Sequence, residues 1–343
     1  MPHRTFLWFI LPSLLAMLLF IAAPIASVVV QSMHQQHEQV LITVENQGPF
    51  GTTTSTTVDQ EATRALREAE PLGRFVGLAV YRDRAHLAFE EVGTAWETTD
   101  SIGAFFSRLM NLPFYRALIF TLTYVAVVTP LTIVLGLAVA LGVNGLPRMF
   151  KGPTIFFSLL PMMVTPLVGA LVLYWMLEQN GVLGSAIQAL AGDPSLSLRA
   201  SVPLTWMTLF AYGVWSSIPF AFIVYYAGLQ TVPQDPLEAA MVDGASRWER
   251  IRYVVIPHLA PLTVFIALIQ MMDNFRVLEP IISFKAEASA PSLAMNIYSD
   301  LRGEIALFNS AAATSVLTIL GVAILLTPVL IRTWRDFNAK GGH

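Results

Sequence analysis

The sequence predicts an all-α membrane protein, a bundle of six helices with a small α+β insert after the first. Three observations carry the prediction. Of 343 residues, 55% are hydrophobic and 13% charged, whereas water-soluble domains carry about 25% charged residues. Mean hydropathy is +0.61. The apolar residues also gather in runs long enough to cross a bilayer, for which about 20 helical residues are needed. This composition excludes a water-soluble enzyme. Twenty basic against 23 acidic residues leave a net charge of −3, too balanced for a nucleic-acid binder. With no cysteine in the chain there is no disulfide scaffold, thiolate zinc site or iron–sulfur cluster.

The first run, Phe6–Val30, is uncharged and follows Arg4. It exceeds the ~7–15 residues of a signal-peptide core and reads as an uncleaved signal anchor. Further runs are expected to span at Ala117–Val143, Thr154–Leu177, Leu204–Gln230, Leu262–Phe284 and Ser310–Ile331. Pro130, Pro161, Pro166, Pro219 and Pro328 lie inside them, which lipid tolerates when neighbouring helices satisfy the freed carbonyls.

An even number of spans puts both termini on one side. If that side is cytoplasmic, the inner segments hold Arg4, Arg148, Lys151, Arg247, Arg250, Arg252, Arg332, Arg335 and Lys340. The short outer loops hold Arg199, Lys285 and Arg302. The asymmetry is the positive-inside pattern, and long translocated segments are exempt from it.

Residues 31–114 form an extracytoplasmic insert, polar and long enough to fold. Val40–Glu45 alternates as a strand, and the threonine-rich Gly51–Thr57 reads as strand or loop. A helix capped by Asp59 is expected to run to Glu70. Phe75–Tyr81 and His86–Val92 flank Arg82–Arg84 as a predicted hairpin, and Ser101–Met110 as an amphipathic helix re-entering the membrane surface. Structural lid and docking point for a substrate-delivering partner both fit the insert. His34 and His37 share a face at helical spacing, without further ligands that would make a metal site. The remaining segments are the first helix at 1–30, a core transmembrane domain at 115–335 and a cytoplasmic tail at 336–343.

The loop between spans four and five, 235–257, holds two helix starts in succession. Asp235, Pro236 and Glu238 predict a capping box, Gly244 a left-handed stop, and Ser246 with Glu249 a second box. The second helix is expected to stop near Pro257. Two short helices then meet at a glycine corner. Ala239, Ala240 and Met241 give the first a small surface suited to another protein's groove.

In this loop Glu238-Ala239-Ala240 is followed after three residues by Gly244, and after nine more by Val254-Val255-Ile256-Pro257. The spacing resembles the cytoplasmic signature loop of binding-protein-dependent ABC importer permeases, most nearly the maltose and glycerol-phosphate importer type. Val254 and Ile256 stand where isoleucine and leucine are usual in that family. The resemblance implies a type I importer permease bundle at the bacterial inner membrane, with both termini cytoplasmic. It implies that Glu238, Ala239, Ala240, Asp243, Gly244 and Pro257 belong to the coupling element received by a cytoplasmic ATPase. Two ATPase copies, a second and different permease chain and a periplasmic solute-binding protein would be its partners. The chain has no G-x-x-x-x-G-K-[ST] phosphate loop. No cofactor is expected in it, since ATP and magnesium would belong to the partner ATPase.

Span five carries Asp273, Asn274, Arg276 and Glu279. Charges at the centre of a span cost roughly 2.5–3.5 kcal/mol on insertion scales, so they face a bundle interior and find partners. In one continuous helix Asp273, Arg276 and Glu279 would share a face over a rise of about 9 Å. Either Asp273 and Arg276 form a structural pair locking helices together, or this face lines a passage and binds a polyhydroxylated solute. Carboxylates and a guanidinium match sugar hydroxyls, and Arg276 would suit an anionic substituent. Phe275, Tyr212 and Trp215 are either packing or stacking groups, and Asn309 is a minor site candidate.

The order Asp-x-Phe-Arg-x-x-Glu resembles the fifth-helix pattern of sugar-importer permeases, in which an acidic residue is usual at the place of Glu279; in the maltose branch the positions matching Asp273 and Asn274 contribute to the solute site. The stretch that follows departs from that pattern at Ile282–Glu287. Two other functions stand beside a solute importer: an ion-coupled secondary transporter using Asp273 and Glu279, and an intramembrane enzyme. No H-E-x-x-H or G-x-S-x-G segment supports the latter.

Overall fold

The computed structural model describes residues 3–37, 40–48, 51–99, 101–178, 180–198, 201–303 and 306–340. Arg199 and the last three residues of the tail lie outside them. Among the described residues five helices are long and apolar enough to span a membrane: Trp8–Gln31, Pro113–Asn144, Val202–Leu229, Arg247–Phe275 and Phe308–Thr333. A sixth apolar stretch is a bent helix pair, Arg148–Met163 and Pro166–Leu177, meeting at 96° and long enough together for one broken span. The chain divides into two compact units, 1–115 with 296–320, and 116–295 with 321–343.

In the first unit the opening span runs His3–Met17, takes a π turn at Leu18–Ala22 and continues as Ala23–Gln31. The π turn precedes Pro24, and the amide of Ala23 reaches back to the Leu18 carbonyl. A proline lacks an N–H and crowds the carbonyl four residues earlier. The wider turn absorbs that mismatch without breaking the helix.

The polar segment that follows is mixed α and β. Leu41–Gly48 pairs antiparallel with Gly51–Val58, from Leu41 opposite Val58 to Gly48 opposite Gly51. Asp59 caps the helix Gln60–Ala69 by accepting from the Ala62 amide at 3.0 Å. The hairpin expected around Arg82–Arg84 does not form. Residues 79–82 and 89–97 are helical, and Arg74–Phe75 pairs with the distant His34–Gln35. Thus His34 is extended, with Nδ1 bonded to the Val30 carbonyl at 2.7 Å, while His37 lies 3.0 Å from Glu70.

Side chains tie this segment to the start of the last span. Val80 and Tyr81 pack on Ala313, and the Tyr81 hydroxyl meets Ser32 Oγ at 2.6 Å. Asn309, the minor site candidate, is engaged by this segment. Its amide donates to the His34 carbonyl at 2.6 Å and also faces the carbonyls of Gln31 and Leu72.

The second unit holds the spans from residue 116 to 275. Its core combines Ala140 and Val143, Ala221, Phe222 and Tyr225, and Val255, Leu259 and Ile266. At Gly136 an added Cβ would stand 2.5 Å from that of Ala221, so glycine permits the close helix approach common in membranes. The break in the third span is set by Pro166, since a residue before proline favours extended backbone; Thr165 has ψ 142°. The Tyr212 hydroxyl donates to the Pro166 carbonyl at 2.8 Å, and Ser283 Oγ to that of Leu167 at 3.2 Å. These bonds tie the start of the second half-helix to span four and to the helix Glu279–Ser283.

Candidate functional site

The loop after span four begins with the helix Gln234–Val242. Its N-cap is Pro233, without a side-chain bond, and Asp235 lies inside the first turn. The box expected from Asp235 and Glu238 is therefore absent, and the carboxylate of Asp235 instead favours the positive end of the helix. The stop at Gly244 forms as expected, with φ +79°. The amide of Ala245 reaches the Ala240 carbonyl at 2.9 Å and that of Gly244 the Met241 carbonyl at 3.1 Å, the paired bonds of a Schellman ending. An added Cβ at Gly244 would meet nothing within 4 Å. Conformation, not space, requires glycine there.

Ser246 and Glu249 form the expected box, at 3.3 Å from the Glu249 amide to Ser246 Oγ and 2.7 Å from the Ser246 amide to Glu249. The helix does not stop at Pro257. It passes through a π turn at Ile251–Val255, where the Ile256 amide bonds to the Ile251 carbonyl, and runs on to Phe275. Span five thus begins about fifteen residues before the apolar run, at Arg247. Glu238, Ala239, Asp243, Gly244 and Pro257 are exposed and Ala240 is half-buried. Val232 and Leu237 anchor the corner in the core. Beside them a cleft of about 220 Å³ is lined by Asn144, Gln234, Arg247 and Arg250 among others. Val242, 88% exposed, and Trp248, 65% exposed, extend the free apolar surface beyond Ala239–Met241. A tryptophan between two charged neighbours was the available signal for it.

At its other end, span five stops at Phe275, with Arg276 as C-cap, and Glu279 opens a separate helix, Glu279–Ser283. The single face expected for Asp273, Arg276 and Glu279 therefore does not exist. Arg276 and Asp273 pair at 2.9 Å, both well exposed. Because they belong to one helix, the pair does not lock two together. Asn274 turns the other way, buried, with Nδ2 donating to Thr129 Oγ1 of span two at 3.0 Å. Glu279 lies within electrostatic reach of the Tyr124 and Tyr212 hydroxyls. Phe275 and Tyr212 are buried packing groups, while Trp215 is exposed. Among the described residues no group of three or more His, Asp or Glu could hold a metal ion.

These features define a class. Residues 101–334 match the model of the binding-protein-dependent transport system inner membrane component family, and the chain belongs to that family. It is a multi-pass inner-membrane protein. The chain is similar to the trehalose transport system permease protein SugA of Mycobacterium tuberculosis, with 32% identity over 52% of this chain and 57% of that protein. It is also similar to the trehalose/maltose transport system permease protein MalF of Thermococcus litoralis, with 27% identity over 54% of this chain and 65% of the relative. The chain spans little more than half the length of the curated relatives it matches. Its fold is that of a type I ABC importer permease. A crystal structure of a bacterial alginate ABC transporter, bound to a periplasmic protein carrying an alginate pentasaccharide, matches with TM-score 0.56 and 20% identity. That match covers 71% of this chain and 85% of the other.

Proposed function

We propose that the chain is the membrane-spanning permease subunit of an ATP-driven importer for a sugar or sugar derivative, working by alternating access. The observation that carries this is the exposed helix Gln234–Val242, closed by Gly244 and joined to span five, in a member of this family. Glu238, Ala239, Ala240, Asp243 and Gly244 form the element that seats in a cytoplasmic ATPase, and Pro257 shapes the turn behind it. ATP and magnesium bind on two copies of that partner. A second permease chain completes the pathway, and a periplasmic binding protein delivers the solute. The basic residues of the short loops support an orientation with both termini in the bacterial cytoplasm and residues 31–114 outside.

Solute contacts are assigned to the exposed Asp273 and Arg276 at the end of span five and to Glu279 at the start of the next helix, with Asn274 holding the helix end against span two. Relatives named for trehalose, maltose and sn-glycerol-3-phosphate transport support a sugar or sugar derivative. The test is solute-stimulated ATP hydrolysis and uptake by the reconstituted complex. Gly244→Asp is expected to abolish ATP-driven uptake while the complex still assembles in the membrane. Uptake by that variant at the normal rate, or solute transport without nucleotide, overturns the reading.

A further inference from the structure

Residues 89–109 fold as a helical hairpin, Phe89–Glu97 and Ile102–Leu109. Ser101 caps the second helix by accepting from the Ala104 amide at 3.3 Å. The inner side of the hairpin is closed: Ala88, Leu109 and Leu112 are buried, with Val92, Phe105 and Tyr115 packed on them. Trp96 meets Phe105 edge-on at 5.3 Å between ring centroids. Beside this closed seam, four large apolar side chains remain uncovered: Phe89 is 55%, Trp96 68%, Ile102 74% and Phe106 53% exposed.

Ile102 and Phe106 stand four residues apart on one helix face, and Ser107 and Arg108 occupy the opposite side. The hairpin is also fixed in height. Met110 lies three residues before Pro113, where span two starts, which limits the gap to about 11 Å. Tyr115, in the first turn of that span, packs in the hairpin's core and donates to the Leu87 carbonyl at 2.8 Å. A face held at the first turn of a membrane helix lies where water gives way to lipid. Aromatic residues concentrate there, and amphipathic helices lie in that plane with their apolar face toward the acyl chains.

We propose that the 89–109 hairpin is an interfacial anchor whose Trp96, Ile102 and Phe106 insert into the outer boundary of the bilayer. Its partner is lipid, not the solute-delivering protein. Arg108, hydrogen-bonded to Thr98, faces away from the apolar pair and toward the headgroups.

The chain lacks cysteine, so single nitroxide labels report cleanly. Ile102→Cys, Phe106→Cys and Ser107→Cys would be labelled in the full-length chain in lipid nanodiscs, with collisions measured against oxygen and a water-soluble nickel chelate. Oxygen is expected to exceed the chelate severalfold at positions 102 and 106, with the order reversed at 107. Chelate in excess at 102 or 106 overturns the proposal. Shielding from both reagents there would place protein over the face and overturns it as well.

Discussion

Asn274 and Arg276 are separated by one residue and do opposite things. Asn274 is buried and bonded to Thr129, and Arg276 caps the helix in the open, paired with Asp273. Asn274→Ala strands Thr129 and is expected to cost about 1–3 kcal/mol, read as a fall in melting temperature. Arg276→Ala removes only an exposed pair, about 0–1 kcal/mol. It should leave melting unchanged while abolishing uptake. A variant that melts early and transports normally would reverse the assignment. At Gly244 the positive φ makes Ala unfavourable by roughly 1–2 kcal/mol, and Asn is expected to restore much of the coupling that Ala loses. Asp300 tests the first unit. Burial holds its carboxyl above the usual range, against an opposing bond from Ser310 and the charge of His86. With the folded value raised, ionisation disfavours the fold, so stability falls as pH rises from the unfolded value, about 3.9, through the folded one. Asp300→Asn should flatten that part of a melting-temperature curve against pH.

At the scale of elements, what was readable was whatever local chemistry decides. Asp59, Ser246 and Gly244 announced helix ends, and the structure has them there. Pro257 misled because a missing N–H stops a helix only when no wider turn absorbs it, and the π turn at Ile251–Val255 does so. The same device precedes Pro24. The hairpin expected at Arg82–Arg84 failed because Arg74–Phe75 pairs with His34–Gln35, some forty residues away, a contact no local pattern encodes. Apolar length likewise gave no hint of the 96° bend at Pro166. The geometry of the candidate solute residues was not legible: the shared face of Asp273, Arg276 and Glu279 assumed a helix that ends at Phe275. A π turn amounts to one inserted residue. Deleting Tyr253 in a Pro257→Ala background is therefore expected to preserve assembly and melting. Deleting Leu268 rotates every later side chain by about 100° and should destroy both. Equal damage from the two deletions would refute the register argument.

For the whole molecule, the strands Leu41–Gly48 and Gly51–Val58 pair with each other and, among the described residues, with no other strand. Replacing residues 42–57 by a short turn should leave expression, melting and solute-stimulated ATP hydrolysis intact. Lost stimulation with intact folding would make that hairpin a docking element. The unbroken course of span five has a mechanical consequence. From Arg247 to Phe275 it is a single rod of 29 residues, about 43 Å long at the helical rise. A rod of that length tilted by about 10° at one end sweeps the other through about 7 Å. Gly244 lies just before one end of this rod and the Asp273–Arg276 pair at the other, so a tilt imposed at the corner would be carried the whole length of the helix to that pair.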